Sequence, residues 1–157
     1  LKTIPLFKDL TKRDLSTLIN IIHNRTFVAG EMIFNQGDPG IGLYIIREGE
    51  VEIERTLDHT EKKVLANFSK GDFFGELALV DGEKRSAAAI AKTECKVSVF
   101  FKPDLDEFIE KYPRKGIKIL TGISTIIALR LRQLNEDFFN LQFNLQDEKG
   151  RQDGNDN

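Results

Sequence analysis

Residues 74–87 read FGELALVDGEKRSA and place one acid and one arginine within a segment of small and apolar residues. Glu76 and Arg85 stand nine positions apart, and Ser86 follows the arginine directly. The GELALV portion is long enough for one helical turn, whose first backbone N–H groups lack partners within the helix and attract an anion. Arg85 adds a permanently charged, forked donor that suits phosphate. The segment therefore predicts a phosphate site.

The acid in this segment limits what the rest of a ligand can be. A carboxylate beside a phosphate would be repelled, so Glu76 is expected to face a donor such as a sugar hydroxyl. Gly75 allows close approach to the backbone, and alanines 87–89 leave room above the next strand. Phosphate on one side and hydroxyl on the other describe a nucleotide. The chain has neither a GxxxxGK(S/T) loop nor a GxGxxG motif after a strand, which argues against ATP-type and dinucleotide sites.

Short apolar runs lie on both sides of this segment. RTFVAGEMIFNQGDPG, IGLYIIREGEVEIERTL and KKVLANFSKGDFFG are rich in β-branched and aromatic residues and carry glycine-bearing turns. This spacing favours an antiparallel sandwich or barrel. Further along, Cys95, Val97, Val99 and Phe101 alternate along the chain and share one face of a predicted strand.

Helical patterns stand at both ends of this β-rich body. Apolar residues between Leu10 and Ile22 have helical spacing, and Thr11 is the predicted N-cap. Pro103 opens a second helix that ends at Pro113, and nothing but two glycines interrupts the chain from there to residue 145. The polar residues 146–157 predict a disordered tail.

FGELALVDGEKRSA resembles the phosphate-binding cassette of cyclic nucleotide-binding domains, and the resemblance extends from IPLFKDLTKRDLSTL to PDLDEFIEKYP. It is most similar to the sensor domain of bacterial regulators of the catabolite-activator (CRP/FNR) type. The resemblance implies a mixed α and β fold: an antiparallel jelly-roll β-barrel with an N-terminal helix and a helical C-terminal part that ends in a long dimerisation helix. The barrel domain with its flanking helices would cover residues 1–113, the coiled-coil-like helix 114–145 and the tail 146–157.

The resemblance also assigns roles within the cassette. Glu76 would bind the ribose 2′-hydroxyl, Arg85 the cyclic phosphate, and the N–H groups near Leu77 and Ala78 would complete the phosphate cradle with Ser86. The implied ligand is cAMP, with cGMP left open, and no cofactor or metal is expected. The candidate ligand-binding residues are Phe74, Gly75, Glu76, Leu77, Ala78, Arg85, Ser86, Ala87, Arg130 and Asn135.

Two of these candidates lie far from the cassette, on the long helix. In the catabolite-activator branch, polar residues in this part of the helix reach the nucleotide base, sometimes across the dimer. Leu134 and Asn135 occupy that place here, where relatives often carry hydroxyl residues, so the base preference stays open. Arg130 has two interpretations: it pairs with Glu76, or it is a solvated surface arginine.

The long helix carries two apolar stripes. Ile119, Ile123 and Ile126 form one, which we assign to the barrel. The other is a heptad stripe, which we assign to a partner helix in a parallel homodimer, because one domain does not easily cover both. Its members are Ile117, Leu120, Ser124, Ile127, Leu131, Leu134, Phe138, Leu141 and Leu145. Phe139 and Phe143 fall outside the heptad, so we expect a missing partner or domain to cover them.

Composition narrows the classes of function. A net charge of −2 gives no basic excess for nucleic-acid binding by this chain itself, and no apolar run predicts a membrane span. The single cysteine suits a reducing, cytoplasmic compartment. His23, on the predicted N-terminal helix, and His59, in a predicted hairpin turn, are not spaced as a metal site, and no catalytic group stands out.

Two functions remain, and neither is enzymatic. The first is a cyclic nucleotide sensor that changes helix packing to control an effector, such as transcription through a DNA-binding domain absent from this chain. The second is a dimerisation module of the same fold whose pocket is empty or takes a different ligand.

Overall fold

The computed structural model describes residues 5–57 and 61–153. Two 3₁₀ turns, Pro5–Phe7 and Ile19–Ile21, accompany eight strands and four helices in that part of the chain. The strands are β1 (Ile22–Phe27), β2 (Met32–Phe34), β3 (Gly42–Glu48), β4 (Val51–Leu57), β5 (Glu61–Phe68), β6 (Phe73–Phe74), β7 (Ala88–Ala91) and β8 (Cys95–Phe101). The helices are α1 (Lys12–Leu18), α2 (Leu77–Val80), α3 (Lys102–Lys111) and α4 (Pro113–Asp153).

The strands form two four-stranded antiparallel sheets. The first has the order β1-β8-β3-β6 and the second the order β2-β7-β4-β5. Alternate side chains of both sheets meet in one buried cluster, in which Cys95, Val97 and Val99 of β8 are fully buried and Phe101 packs at the margin. The prediction that these four residues share one face is therefore confirmed, as is the antiparallel β-rich body.

The helices cover the other face of the first sheet. Residues of that face such as Leu43 and Phe100 join a second buried cluster with the N-terminal turns, α3 and α4. Ile119, Ile123 and Ile126 are buried in this cluster, so the isoleucine stripe does pack on the barrel. Helix α4 approaches the turn Pro5–Phe7 closely because Gly122 has no side chain. A Cβ at Gly122 would lie 2.5 Å from the carbonyl oxygen of Leu6.

The start of the N-terminal helix was predicted correctly, but its end was not. Thr11 caps α1, since its hydroxyl accepts from the N–H of Asp14 while the Asp14 carboxylate accepts from the N–H of Thr11. The helix ends at Leu18, however, and Ile22 already pairs with Phe100 in the sheet. Isoleucines are stiff at χ1 and fit a pleated surface, so tertiary pairing overrides the helical spacing here.

Helix α4 is longer than the sequence pattern suggested. It begins at Pro113 and runs for 41 residues to Asp153, which includes residues 146–153 that we assigned to a disordered tail. That segment is rich in Gln, Glu, Lys and Arg, which are good helix formers, so local propensity continues the helix beyond the last apolar residue. Residues 154–157 of the predicted tail lie outside the described residues.

Most of the heptad stripe is open to solvent in the single chain, although Ile127 is partly buried against the helical cluster. Ile117, Leu131, Leu134, Phe138 and Leu141 are each more than half exposed. Leu145 belongs to α4, but its side chain is not among those that the structure describes. An exposed stripe is what a partner helix requires, and the dimer itself stays a prediction.

Candidate functional site

The cassette is built around a close contact between a glycine and an arginine. Gly75 follows β6 with a φ of +79°, and a Cβ at this position would lie 2.6 Å from Nη1 of Arg85. That arginine donates from Nη1 to the carbonyl oxygen of Gly75 at 3.2 Å and from Nη2 to that of Gly42 at 2.7 Å. The two bonds fix the guanidinium beneath the turn that leads into α2.

Arg85 is a buried cation, and one of its nitrogens has no hydrogen-bond partner among the described residues. Only 7% of the residue is exposed, and its guanidinium lies 4.2 Å from the ring centroid of Phe34. Burial lowers the pKa of Arg85, and the neighbouring Tyr44, and after it Glu76 and Asp38, oppose that shift. Nε of Arg85 is buried and has no hydrogen-bond partner in the described part of the chain. A buried charged donor without an acceptor is costly, and an anionic ligand would satisfy it.

Glu76 is held by the long helix. Nη1 of Arg130 lies 2.5 Å from Oε1 of Glu76, and Nη2 of the same arginine donates to the carbonyl oxygen of Phe73 at 2.7 Å. Glu76 is buried, whereas Arg130 keeps about a third of its side chain exposed. Of the two interpretations of Arg130, pairing with Glu76 is therefore the one the structure has.

A cavity of about 370 Å³ lies between the cassette, the second sheet and Arg130. Its polar end is lined by Glu76, Arg85 and Ser86. Asp81, Glu83 and Lys84 also line the cavity, and its apolar walls are Phe34, Ile53, Ala66, Phe68 and Phe74. This volume falls within the range of small-ligand sites, and the division into a polar and an aromatic end fits a ligand that carries charge on one side and a flat ring on the other.

Most of the predicted site residues meet at this cavity. Phe74, Gly75, Glu76, Leu77, Arg85, Ser86, Ala87 and Arg130 all line it. The side chain of Ala78 lies outside the described residues. Asn135 does not line the cavity of its own chain; it is exposed in a shallow groove with Phe139 and Asn140. Five residues along an α-helix give a rise of about 7.5 Å and a turn of about 140°, so Asn135 and Arg130 cannot share a face.

Of the five apolar wall residues, Phe74 alone was predicted from the sequence. Phe34 comes from β2, and Ile53, Ala66 and Phe68 come from the hairpin of β4 and β5, where Ile53 faces Ala66 in register. The alternation along those strands was a signal that they have an inner face. The register between strands and the position of that face over the cassette depend on long-range pairing.

A model of the family described as the cyclic nucleotide-binding domain matches residues 24–112, which is more than half of the chain. The chain belongs to this family. The match takes in the whole cassette and every strand except the first residues of β1. The resemblance inferred from FGELALVDGEKRSA is therefore confirmed.

Several relatives of this cyclic nucleotide-binding domain are regulators. It is 29% identical over 143 residues to the cyclic AMP receptor protein of Thermus thermophilus, covering 91% of this chain and 64% of the relative. The crystal structure of the Thermus thermophilus catabolite activator protein superposes with a TM-score of 0.77 at 29% identity, over 88% of this chain and 63% of that one. The N-terminal domain of a transcriptional regulator from Streptomyces coelicolor gives a TM-score of 0.72 at 31% identity. That match covers 84% of this chain and 91% of the other.

Another relative is a subunit of a protein kinase. The cAMP-dependent protein kinase regulatory subunit of Emericella nidulans is 37% identical over 122 residues, which cover 78% of this chain and 26% of the subunit. The chain thus spans less than two thirds of these curated relatives, and the family membership applies to the domain alone.

Residues 5–57 and 61–153 contain neither a cluster of metal ligands nor a helix that could span a membrane. No group of three His, Cys, Asp or Glu side chains there could hold a metal ion. His23 lies in β1 rather than on a helix, with Nε2 at 2.8 Å from Oδ2 of Asp104, and His59 lies outside the described residues. No helix in the same ranges has an apolar stretch long enough to cross a bilayer.

Proposed function

We propose that this domain binds a cyclic nucleotide, with cAMP the best candidate, in the cavity between the cassette and the second sheet. The observation that carries the proposal is the buried Nε of Arg85, a charged donor aimed at no acceptor in the described residues. A cyclic phosphate would supply that acceptor. Ser86 lines the same end of the cavity and offers a hydroxyl.

The rest of the nucleotide follows from the position of the phosphate. Glu76 would accept a hydrogen bond from the ribose 2′-hydroxyl while it keeps its pair with Arg130, because a carboxylate has about four acceptor positions. The base would then lie toward the aromatic walls, where Phe34 and Phe68 offer ring faces. Names of relatives support the choice of cAMP: one is a cyclic AMP receptor protein and another a cAMP-dependent kinase subunit.

We also infer a jelly-roll arrangement and a sensory role. The strand orders 1-8-3-6 and 2-7-4-5 support the jelly roll, since they place early and late strands side by side in both sheets. The direct contact of Arg130 with the cavity supports a sensor, because α4 also carries the exposed heptad stripe. The effector would be a transcriptional output, through a DNA-binding domain outside this chain and a parallel homodimer of α4.

Isothermal titration with cAMP, cGMP and 5′-AMP tests the binding proposal. We expect saturable binding of cAMP and weaker binding of 5′-AMP, whose acyclic phosphate does not fit the same donors. Arg85→Ala should weaken cAMP binding by about 2–5 kcal/mol, roughly 30-fold to several thousand-fold, and Arg85→Lys should restore only part because the forked geometry is lost. Arg55→Ala, at an exposed arginine of β4, removes the same charge away from the cavity and serves as the control.

The second candidate is a dimerisation module with an empty pocket or another ligand. The exposed heptad stripe on α4 favours it, since that surface needs no nucleotide to associate. A chain that forms a dimer in sedimentation yet gives no heat with either cyclic nucleotide would support this candidate against the sensor.

A further inference from the structure

A second cleft, of about 630 Å³, lies on the helix-covered face of the first sheet, beyond the end of the helices. A polar row crosses the sheet there. Asn24 of β1 stands opposite Ser98 of β8, and Oγ of Ser98 donates to Oδ1 of Asn24 at 3.1 Å. Nη1 of Arg47, on β3, donates to the same oxygen at 3.1 Å. Three adjacent strands thus direct one polar group each into the cleft.

Arg47 stands at an irregularity in the sheet. The pairing of β3 with β8 shifts register between Ile46 and Glu48, and Arg47 is the residue at the shift. Bulges of this kind redirect side chains and recur beside functional sites. Arg47 alternates with Leu43 and Ile45 onto the helix-covered face, reaches across β8 to Asn24, and lines the cleft.

The cleft carries an excess of positive charge. Arg47 and Lys70 line it, and among the described residues neither forms a salt bridge. Glu48 is the acid on the rim, and Lys96 already pairs with it at 2.7 Å. The pKa of Glu48 is lowered, first by the hydrogen bond with Lys96 and further by the charges of Arg47 and Lys70. The surplus charge is therefore available to an anion.

One wall of the cleft is apolar. Ile19, in a 3₁₀ turn and more than half exposed, and Ile22, at the start of β1, line this wall together with Ile45 of β3. Ser98 is only 5% exposed although it is polar, so its hydroxyl lies at the bottom, between the charged and the apolar sides. A ligand that satisfies both sides has an anionic oxygen group and a short hydrocarbon part.

We propose that this cleft is an accessory site for a small organic anion, a carboxylate or a phosphate ester with a short apolar segment. Arg47 and Lys70 bind the anionic oxygens, the side-chain NH₂ of Asn24 donates to them, and the hydrocarbon part contacts Ile19 and Ile22, while Ser98 holds the amide of Asn24 in place through its own hydrogen bond. The cleft shares no residue with the cavity at Arg85, so the site does not depend on the function proposed above.

The test is an NMR titration of the isotope-labelled chain with inorganic phosphate, acetate and hexanoate at constant ionic strength. We expect all three to shift the amides of residues 24, 47, 70 and 98, since an anion in the cleft contacts these positions. Hexanoate should bind about fivefold or more tightly than acetate and should move the methyl signals of Ile19 and Ile22, because its extra methylenes are partly buried. Any phosphate binding at Arg85 would be seen separately, at residues 74–87.

Arg47→Gln should weaken hexanoate binding about tenfold, because a charge-assisted bond to the carboxylate is lost. Arg55→Gln, on the other sheet, changes the net charge equally and should leave the affinity unchanged, which separates a site from bulk attraction. Three results would each overturn the proposal: no shifts at 24, 47, 70 and 98 with any probe, equal loss in the two arginine variants, or equal affinity for acetate and hexanoate.

Discussion

The guanidinium of Arg130 lies 2.5 Å from the carboxylate of Glu76, and among the α4 side chains that the structure describes it is the one that lines the cavity beside the cassette. The same guanidinium donates to the carbonyl oxygen of Phe73 and lies 4.7 Å from the centre of its ring. Arg130 therefore attaches the long helix to the edge of the cassette at three points. Any movement of α4 relative to the barrel must break or carry these contacts.

Substitution of Arg130 should destabilise the domain because Glu76 loses its partner. Arg130→Met keeps the apolar stem but leaves Glu76 buried without its partner, which we expect to lower the free energy of unfolding by about 1–3 kcal/mol, a value reduced because Arg130 is partly exposed. Urea denaturation measures the change. The double variant Arg130→Met with Glu76→Gln should recover part of the loss. Equal stability of wild type and Arg130→Met would mean that the pair contributes nothing.

Gly75 should be required for more than its backbone angle. Gly75→Ala places a Cβ 2.6 Å from Nη1 of Arg85 and should displace that guanidinium, so we expect cAMP affinity to fall at least about tenfold. Gly71→Ala is the matched control: its φ of +94° imposes a similar strain, of about 1 kcal/mol, but no atom lies within 4 Å of the added Cβ. Both variants should lose stability, and only the first should lose affinity in titration. The same affinity loss in both would assign the effect to strain alone.

The contiguous part of the site could be predicted from sequence because its chemistry is local. Glu76 and Arg85 stand in one short segment, and a single turn brings them to the same cavity. Thr11 was predictable as a cap for the same reason, since its partner Asp14 is three residues away. Isoleucines at helical spacing on α4 needed only one further premise, that a helix buries one face.

The cavity walls and the end of the first helix were not predicted because they depend on pairing between distant strands. Ile53 and Ala66 become walls of the cavity only through the register of β4 and β5. Ile22 has helical spacing with the residues before it, yet it pairs with Phe100, more than seventy positions away. Asn135 was assigned by rough alignment, and the helical angle between it and Arg130 places it outside the cavity of its own chain.

The attachment of α1 to α4 should depend on pH. A hydrogen bond from Lys118, and next one from the backbone N–H of Thr11, lower the pKa of Asp14 to about 2. Because the folded pKa lies below the unfolded value, this carboxylate stabilises the fold above about pH 4 and loses that effect as pH falls toward 2. Asp14→Asn should therefore cost about 1–2 kcal/mol at pH 7 and much less near pH 2, measured by denaturation at each pH.

Asp106→Asn is the control for that pH dependence. Asp106 forms an exposed pair with Lys102 at 3.1 Å, one turn away on α3, and such pairs contribute little. Its substitution should leave the stability curve close to that of the wild type across the same range. A cost of Asp14→Asn that stays constant between pH 7 and pH 2 would show that its charge is not responsible.

The heptad stripe predicts a specific pattern of dimer disruption. Leu131→Glu would bury a charge against its symmetry mate and should give a monomer in sedimentation. Leu129→Glu makes the same change at an equally exposed position outside the heptad and should leave the dimer intact. Dissociation in both variants would place the interface elsewhere, and a wild type that is already monomeric at tens of micromolar would remove the stripe as an interface.

Signal transfer from the cavity should pass through Leu79. This residue of α2 is 4% exposed and belongs to the same buried cluster as Phe108 of α3 and Ile123 of α4, whereas Leu77, two residues earlier, is half exposed and lines the cavity. A phosphate bound at Arg85 should draw α2 inward, and the packing of Leu79 would transmit that movement to both helices. The ligand must favour one of two packings, because equal affinity for both would shift nothing.

Hydrogen exchange with and without cAMP measures this coupling. We expect added protection at residues 74–87 and a second change within 114–135, which contains no phosphate ligand. Leu79→Ala should keep the first change and reduce the second, since it removes the contact between α2 and the helical cluster. Val80→Ala, at an exposed position of the same helix, is the matched control and should keep both. Protection confined to 74–87 in the wild type would leave a nucleotide-binding domain that does not transmit its occupancy to α4.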